Sequence, residues 1–223
     1  MRITVLALFG ALLLFATPRL SVAGEQVPLD LSAHVNDPLD QEFHREGLPG
    51  NHLKALMKTD PRLSDVQYHI GEKMLQLGSK LCLERPKKIE GIPVDKAVGK
   101  LHFLHATGFG TGQETDPNYV KDGTQIGHYT IRYADDTTVE LPIVYGEDVR
   151  DWWNVDNNKE TKRGKVVWSE MNEASEQFGV EVRLYTTVWE NPHSDKAVKS
   201  IDYAADGDTA AAPFCLAITA ETP

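Results

Sequence analysis

A chain of 223 residues with 33 acidic and 23 basic side chains carries a formal net charge of −10, which repels nucleic-acid backbones and anionic membranes and favours a neutral or cationic partner. Its two cysteines, Cys82 and Cys215, are too few for a disulfide-framework miniprotein. No second long apolar stretch follows the N-terminal one, which excludes membrane insertion of the mature chain through a helix.

The first stretch is an address label. Arg2 gives a small positive n-region, residues 3–15 are an apolar run short for a bilayer span, and Ser21-Val22-Ala23 supplies small residues for cleavage. Residues 1–23 are therefore expected to be a signal peptide and 24–223 a single domain, secreted or held in the periplasm or cell envelope. Removing Arg2 and Arg19 with the leader leaves 21 basic against 33 acidic residues.

Residues 27–61 are polar, dotted with Pro28, Pro38, Gly47, Pro49, Gly50 and Pro61, and read as a wrapping segment. A short edge strand at 27–31 and a helical turn at 52–58 are expected within it. Residues 66–70 and 74–77 read as strands around Gly71-Glu72, and 89–92 as another short one. LHFLHA, residues 101–106, has bulk on both faces and predicts a central, well-covered strand. Residues 108–122 are a loop rich in Gly, Thr and Asp.

The stretch 126–153 reads as a hairpin around which the chain is arranged. Tyr129, Ile131 and Tyr133 share one face of its first arm, and Val139, Leu141, Ile143 and Tyr145 repeat the alternation in the second. Asp135-Asp136 forms the turn. Beyond it come a strand at 166–168 and one or two helical turns between Asn172 and Gly179. A strand at 180–189 sets Val182, Leu184, Thr186 and Val188 against a polar-aromatic outer face of Arg183, Tyr185, Thr187 and Trp189. The last pair, 198–203 and 213–221, turns Phe214, Leu216, Ile218 and Ala220 inward. Such a series predicts an all-β antiparallel sandwich of about eight to ten strands with long irregular loops.

Strand geometry argues against a metal at LHFLH, because residues three apart point to opposite faces. Neither GxSxG nor HExxH occurs. The acids Asp135-Asp136 and Glu147-Asp148 with Asp151 could serve a hydrolase as two carboxylates, or act as solvated turn residues. No cofactor is expected, apart from a structural calcium that Asp116, Asp122 and Asp202 could hold. Cys82 and Cys215 either form a disulfide, worth roughly 3–5 kcal/mol for a loop that long, or remain two partly buried thiols.

The candidate binding residues are aromatic and polar. Trp152 and Trp153 follow a strand end, with one indole expected in and one out. Tyr185 and Trp189 share a face, and Asn191 and His193 follow Trp189. Indole stacks on the C–H face of a pyranose while polar groups read its hydroxyls. Arg150 either contacts ligand or bridges to Asp148 or Asp151.

The runs LHFLHATG, DGTQIGHYTIRYADDTTVELPIVYGEDVRDWW, VRLYTTVWENPHSDKAVKSIDY and APFCLAITAE resemble the galactose-binding-like β-sandwich domains of secreted bacterial proteins. The resemblance covers most of residues 27–221. It implies a jelly-roll sandwich, with carbohydrate binding as one common role of that fold. The expectation is a non-catalytic exported domain recognising glycan through Arg150, Trp152, Trp153, Tyr185, Trp189, Asn191 and His193. A structural or protein-interaction domain of the cell envelope, with an envelope protein as partner, is the alternative. A glycoside hydrolase is the third.

Overall fold

Period-two alternation dominates the chain, and strands follow it. The computed structural model describes residues 24–44, 48–60, 62–156 and 158–223; the expected signal peptide lies outside the described residues. The wrapping region holds β1 (Gln26–Pro28), β2 (Asp37–Pro38), β3 (Arg62–Leu63) and β4 (Val66–Gln67), with a 3-10 turn at Lys54–Lys58. Then come β5 (Lys73–Gln76), β6 (Lys88–Ala97), β7 (Lys100–Gly108), β8 (Gln125–Tyr133) and β9 (Thr138–Val144). The chain finishes with β10 (Lys165–Glu170), α1 (Glu173–Glu176), β11 (Val182–Glu190), β12 (Ala197–Ala205) and β13 (Ala212–Glu221).

Two antiparallel sheets pack as a β-sandwich. The seven-stranded sheet runs β10-β11-β7-β13-β5-β2, with β1 also paired to β13, and the four-stranded sheet runs β6-β12-β8-β9. Between them Phe103 stacks on Tyr129 at 4.1 Å, and Tyr129 on Tyr203 at 4.7 Å. The β8–β9 hairpin turns at Asp135-Asp136, where Asp136 takes a positive φ of 62°. Asn172 caps α1 through a capping box, and Gly179 follows at φ 64°. β6 is longer than its short apolar core suggested, because Gly91 and Pro93 interrupt the pattern while register shifts absorb them.

LHFLHA lies in the middle of the larger sheet, with β11 on one side of β7 and β13 on the other. Both faces of this sheet are covered. One faces the smaller sheet; the other lies under the wrapping segment, whose Leu29, Leu31, Leu39, Phe43, Leu53 and Leu56 are buried. Phe43 stacks on Trp152 at 4.6 Å and meets Phe214 edge-on, while the Tyr68 hydroxyl is 2.6 Å from Thr186 Oγ1.

This double cover corrects two expectations. Tyr185, Thr187 and Trp189 pair with His105, Phe103 and Leu101, and directly opposed residues share a face. Their face is therefore the inner one, looking toward the smaller sheet. On β13 a register shift between Cys215 and Ala217 changes the phase. Cys215 and Ile218 consequently lie opposite His105 and Phe103, whereas Phe214 turns away toward Phe43 and Trp152. A bulge inserts one residue and so splits a set that regular alternation would keep together.

Both cysteines are free, so the disulfide alternative fails. Cys82 sits in the turn after β5, bonded back to Ser79, while Cys215 points between the sheets, where burial pushes its thiol up to about 12. Denatured without reductant, the protein is expected to react with two equivalents of a thiol reagent; labelling of neither cysteine contradicts this structure. Trp152→Ala should lower the unfolding free energy by about 3–5 kcal/mol in urea titration, the usual range for an aromatic removed from a core.

Candidate functional site

Past β9 the chain crosses the end of the sandwich, and its charged side chains fasten what lies beside them. Asp148 accepts from Val144 N at 2.8 Å and takes the Arg163 guanidinium on both carboxylate oxygens, at 2.8 and 2.6 Å. Arg150 is buried and donates to both oxygens of Asp122, at 2.9 and 2.8 Å, and to the Glu160 carbonyl. Its partner is thus Asp122, 28 residues away, and neither Asp148 nor Asp151. That guanidinium holds the Asp122 carboxyl down at about 2. Asp151 accepts from Gly110 N, Thr111 N and the Thr111 hydroxyl, which staples the glycine-rich loop.

Asp151–Trp153 then lies between the ends of β7 and β11. Asp151 bridges to Thr107 and Trp153 to Val182; Trp152 N donates to the Thr107 carbonyl and Arg183 N to the Trp152 carbonyl. Both indoles are buried, Trp152 under Phe43 and Trp153 with its Nε1 donating to Asn51 Oδ1 at 3.0 Å. The expected split of one in and one out does not occur, because the wrapping segment covers both. Tyr185 is buried as well, with Arg183 5.4 Å over its ring. Asn191 is buried and occupied by the Tyr133 hydroxyl, the Val98 carbonyl and His193 N. His193 is exposed just past β11, and Trp189 is half-buried.

The candidate residues therefore do not form one rim. Trp189 instead stands at the lip of a cleft of about 230 Å³ between β11 and the edge strand β9, lined by Phe103, Tyr129, Leu141, Pro142, Ile143 and Thr187, with His105 within and the Asp148–Arg163 pair at its border. Trp152, Trp153 and Trp168 are all buried, so the half-buried Trp189 is the least enclosed of the four tryptophans. The sequence held a signal for this place: His105 is a polar residue on the otherwise apolar phase Leu101, Phe103, His105 of a central strand. Nothing in the sequence tied it to Leu141 or Ile143.

His105 is almost wholly enclosed. Its Nδ1 is 3.2 Å from the Tyr129 hydroxyl and its Nε2 3.0 Å from Thr187 Oγ1. Burial lowers its pKa from 6.5 to about 4, against a weaker upward pull from Asp148. The imidazole is neutral at physiological pH, and burial likewise keeps the Tyr129 phenol protonated. His102 turns to the other face, 3.0 Å from Glu221 Oε2.

No family model, curated protein or solved structure matches this chain. The paired acids have structural partners: Asp135 binds Thr137 and Lys196, Glu147 binds Lys162, and Asp148 and Asp151 are engaged as above. The three acids considered for calcium are dispersed among different partners. Asp116 caps Asn118 N, Asp122 holds Arg150 and Lys159, and Asp202 accepts from Gly91 N and lies near Lys88 and Arg132. Among the described residues no group of three or more His, Cys, Asp or Glu side chains is arranged to hold a metal ion.

The depressed His105 pKa gives stability a defined pH dependence. Between pH 6.5 and about 4 the unfolded chain binds a proton at this position and the folded chain does not, so stability falls as pH falls through that window. The full effect is on the order of 3 kcal/mol. Denaturant titrations from pH 7 to 4 should show the decline, and His105→Gln should make it shallower; an identical slope in the variant would assign it elsewhere.

Proposed function

We propose that the mature chain is an exported, non-catalytic binding domain of galactose-binding-like, jelly-roll type that recognises carbohydrate, with one sugar ring stacked on Trp189 at the mouth of the inter-sheet cleft. The observation that carries this reading is the position of Trp189. Its side chain is half-buried where the other three tryptophans are buried, and it borders a concave, largely apolar surface with a carboxylate and a guanidinium at the edge. An indole face matches the C–H face of a pyranose, and the fixed Asp148–Arg163 pair offers an acceptor and a donor to hydroxyls. His193 is available to a longer glycan.

A binding role suits the electrostatics better than a hydrolytic one. General acid–base work needs a group whose pKa lies near the working pH, whereas His105 is held neutral far below it. Trp152, Trp153, Tyr185 and Arg150 support the scaffold in this reading. A protein-interaction role in the cell envelope has one observation of its own: Met171 and Phe178, flanking α1, are about half exposed.

The deciding experiment is a glycan array with residues 24–223, followed by fluorescence titration of each hit. Binding should be saturable and weakened about tenfold or more in Trp189→Ala, a loss of about 1.4 kcal/mol, with the thermal midpoint nearly unchanged. Glycan affinity that survives Trp189→Ala would overturn this site. An empty array with self-association lost in Phe178→Ala would favour the envelope-partner reading.

A further inference from the structure

Beside Trp189 the cleft between β11 and β9 runs past the half-buried Leu141 to the buried Phe103, Tyr129 and Ile143, with Thr187 and His105 as polar groups of its buried lining. Its volume, about 230 Å³, falls short of the roughly 300–1,000 Å³ of pockets that enclose a whole drug-sized ligand. A sugar stacked at the lip would thus send one substituent inward. Apolar walls favour a methyl-sized group there and penalise a charged one, which would lose its hydration without finding a counter-charge. His105 offers none, being neutral, and the charges of Asp148 and Arg163 are already paired with each other.

The hydrogen bonds of His105 decide which polar atom the interior presents. A neutral imidazole has one N–H and one lone pair, so one of its two hydroxyl neighbours donates to it and the other accepts. A phenol is a stronger donor than an aliphatic hydroxyl. We assign Tyr129 O–H as donor to Nδ1, which leaves Nε2–H to donate to Thr187 Oγ1. The Thr187 hydroxyl hydrogen is then free, at the boundary of the cavity, to donate to a ligand acceptor.

One neutral donor set among apolar walls matches an acyl group. Resting on the carbohydrate reading above, we infer that the cleft is an acyl pocket selecting acetamido sugars: the acetyl methyl lies against Phe103 and Leu141, and the amide carbonyl oxygen accepts from the Thr187 hydroxyl. Neither a free amine nor a plain hydroxyl at the same carbon supplies both features.

The test compares methyl glycosides of N-acetylglucosamine, glucosamine and glucose, and the same three in the galacto series, by calorimetry and fluorescence on the mature chain. The acetamido member of at least one series should bind about tenfold tighter than its amine and hydroxyl counterparts. Thr187→Val should abolish that preference and Thr187→Ser retain it, while Trp189→Ala should weaken every sugar that binds. If the amine or hydroxyl sugars bind as tightly, or if Thr187→Val keeps the preference, the acyl pocket is wrong and the Trp189 site stands. If none of the six binds and the array is also empty, the carbohydrate reading falls with it.

Discussion

The insertion of Asp151–Trp153 between the ends of β7 and β11 is the contact on which the rest depends. β7 and β11 pair only between Lys100–His105 and Tyr185–Glu190. Beyond that, the backbone groups of Thr107 and Arg183 are satisfied by Trp152 on either side. Unpaired main-chain groups in the interior would cost free energy comparable to a lost hydrogen bond each, so the wedge lets the larger sheet extend past the point where its strands part. It also delivers two indoles into the core, where Phe43 and Asn51 of the wrapping segment meet them.

The charged residues around the wedge serve the same end. Arg150 reaches Asp122, Asp151 reaches Thr111, and Arg183 reaches Asp156 and Asn154, so each joins segments distant in sequence. Buried guanidinium groups are costly unless their donors are occupied, and here they are occupied by carboxylates, amides and carbonyl oxygens. The composition that looked like a ligand-binding rim, tryptophans among acids and an arginine, is the composition of a tightly fastened corner. The cleft lies elsewhere, between β11 and β9 at the edge of the smaller sheet, where Trp189 is half-buried beside the buried Phe103 and His105.

Several elements were legible in the residues alone. The hairpin announced itself through two arms of strict alternation and an Asp-Asp turn; α1 through Asn172 and Gly179; the central strand through bulk on both faces; the wrapping segment through its prolines and glycines. Each of these signals is local, carried by neighbours on one stretch of chain. Gly91 and Pro93 interrupt the alternation of β6, so only its short apolar core stands out in the sequence. The bulge after Cys215 reverses the phase of β13, so regular alternation does not give the facing of Phe214.

By itself, then, the sequence determined the class of fold, most of its strands and the stiff, covered middle of the larger sheet, because alternation and turn chemistry are properties of contiguous residues. Tertiary structure alone decided which face of β11 is inner, that both tryptophans of the wedge are buried, that Arg150 pairs with Asp122, and that Trp189 shares a cleft with His105 and Leu141. A sheet covered on both sides offers no hydrophobic contrast from which to tell inside from outside. Contacts between residues 28, 40 or 102 positions apart leave no periodic trace in the chain that makes them.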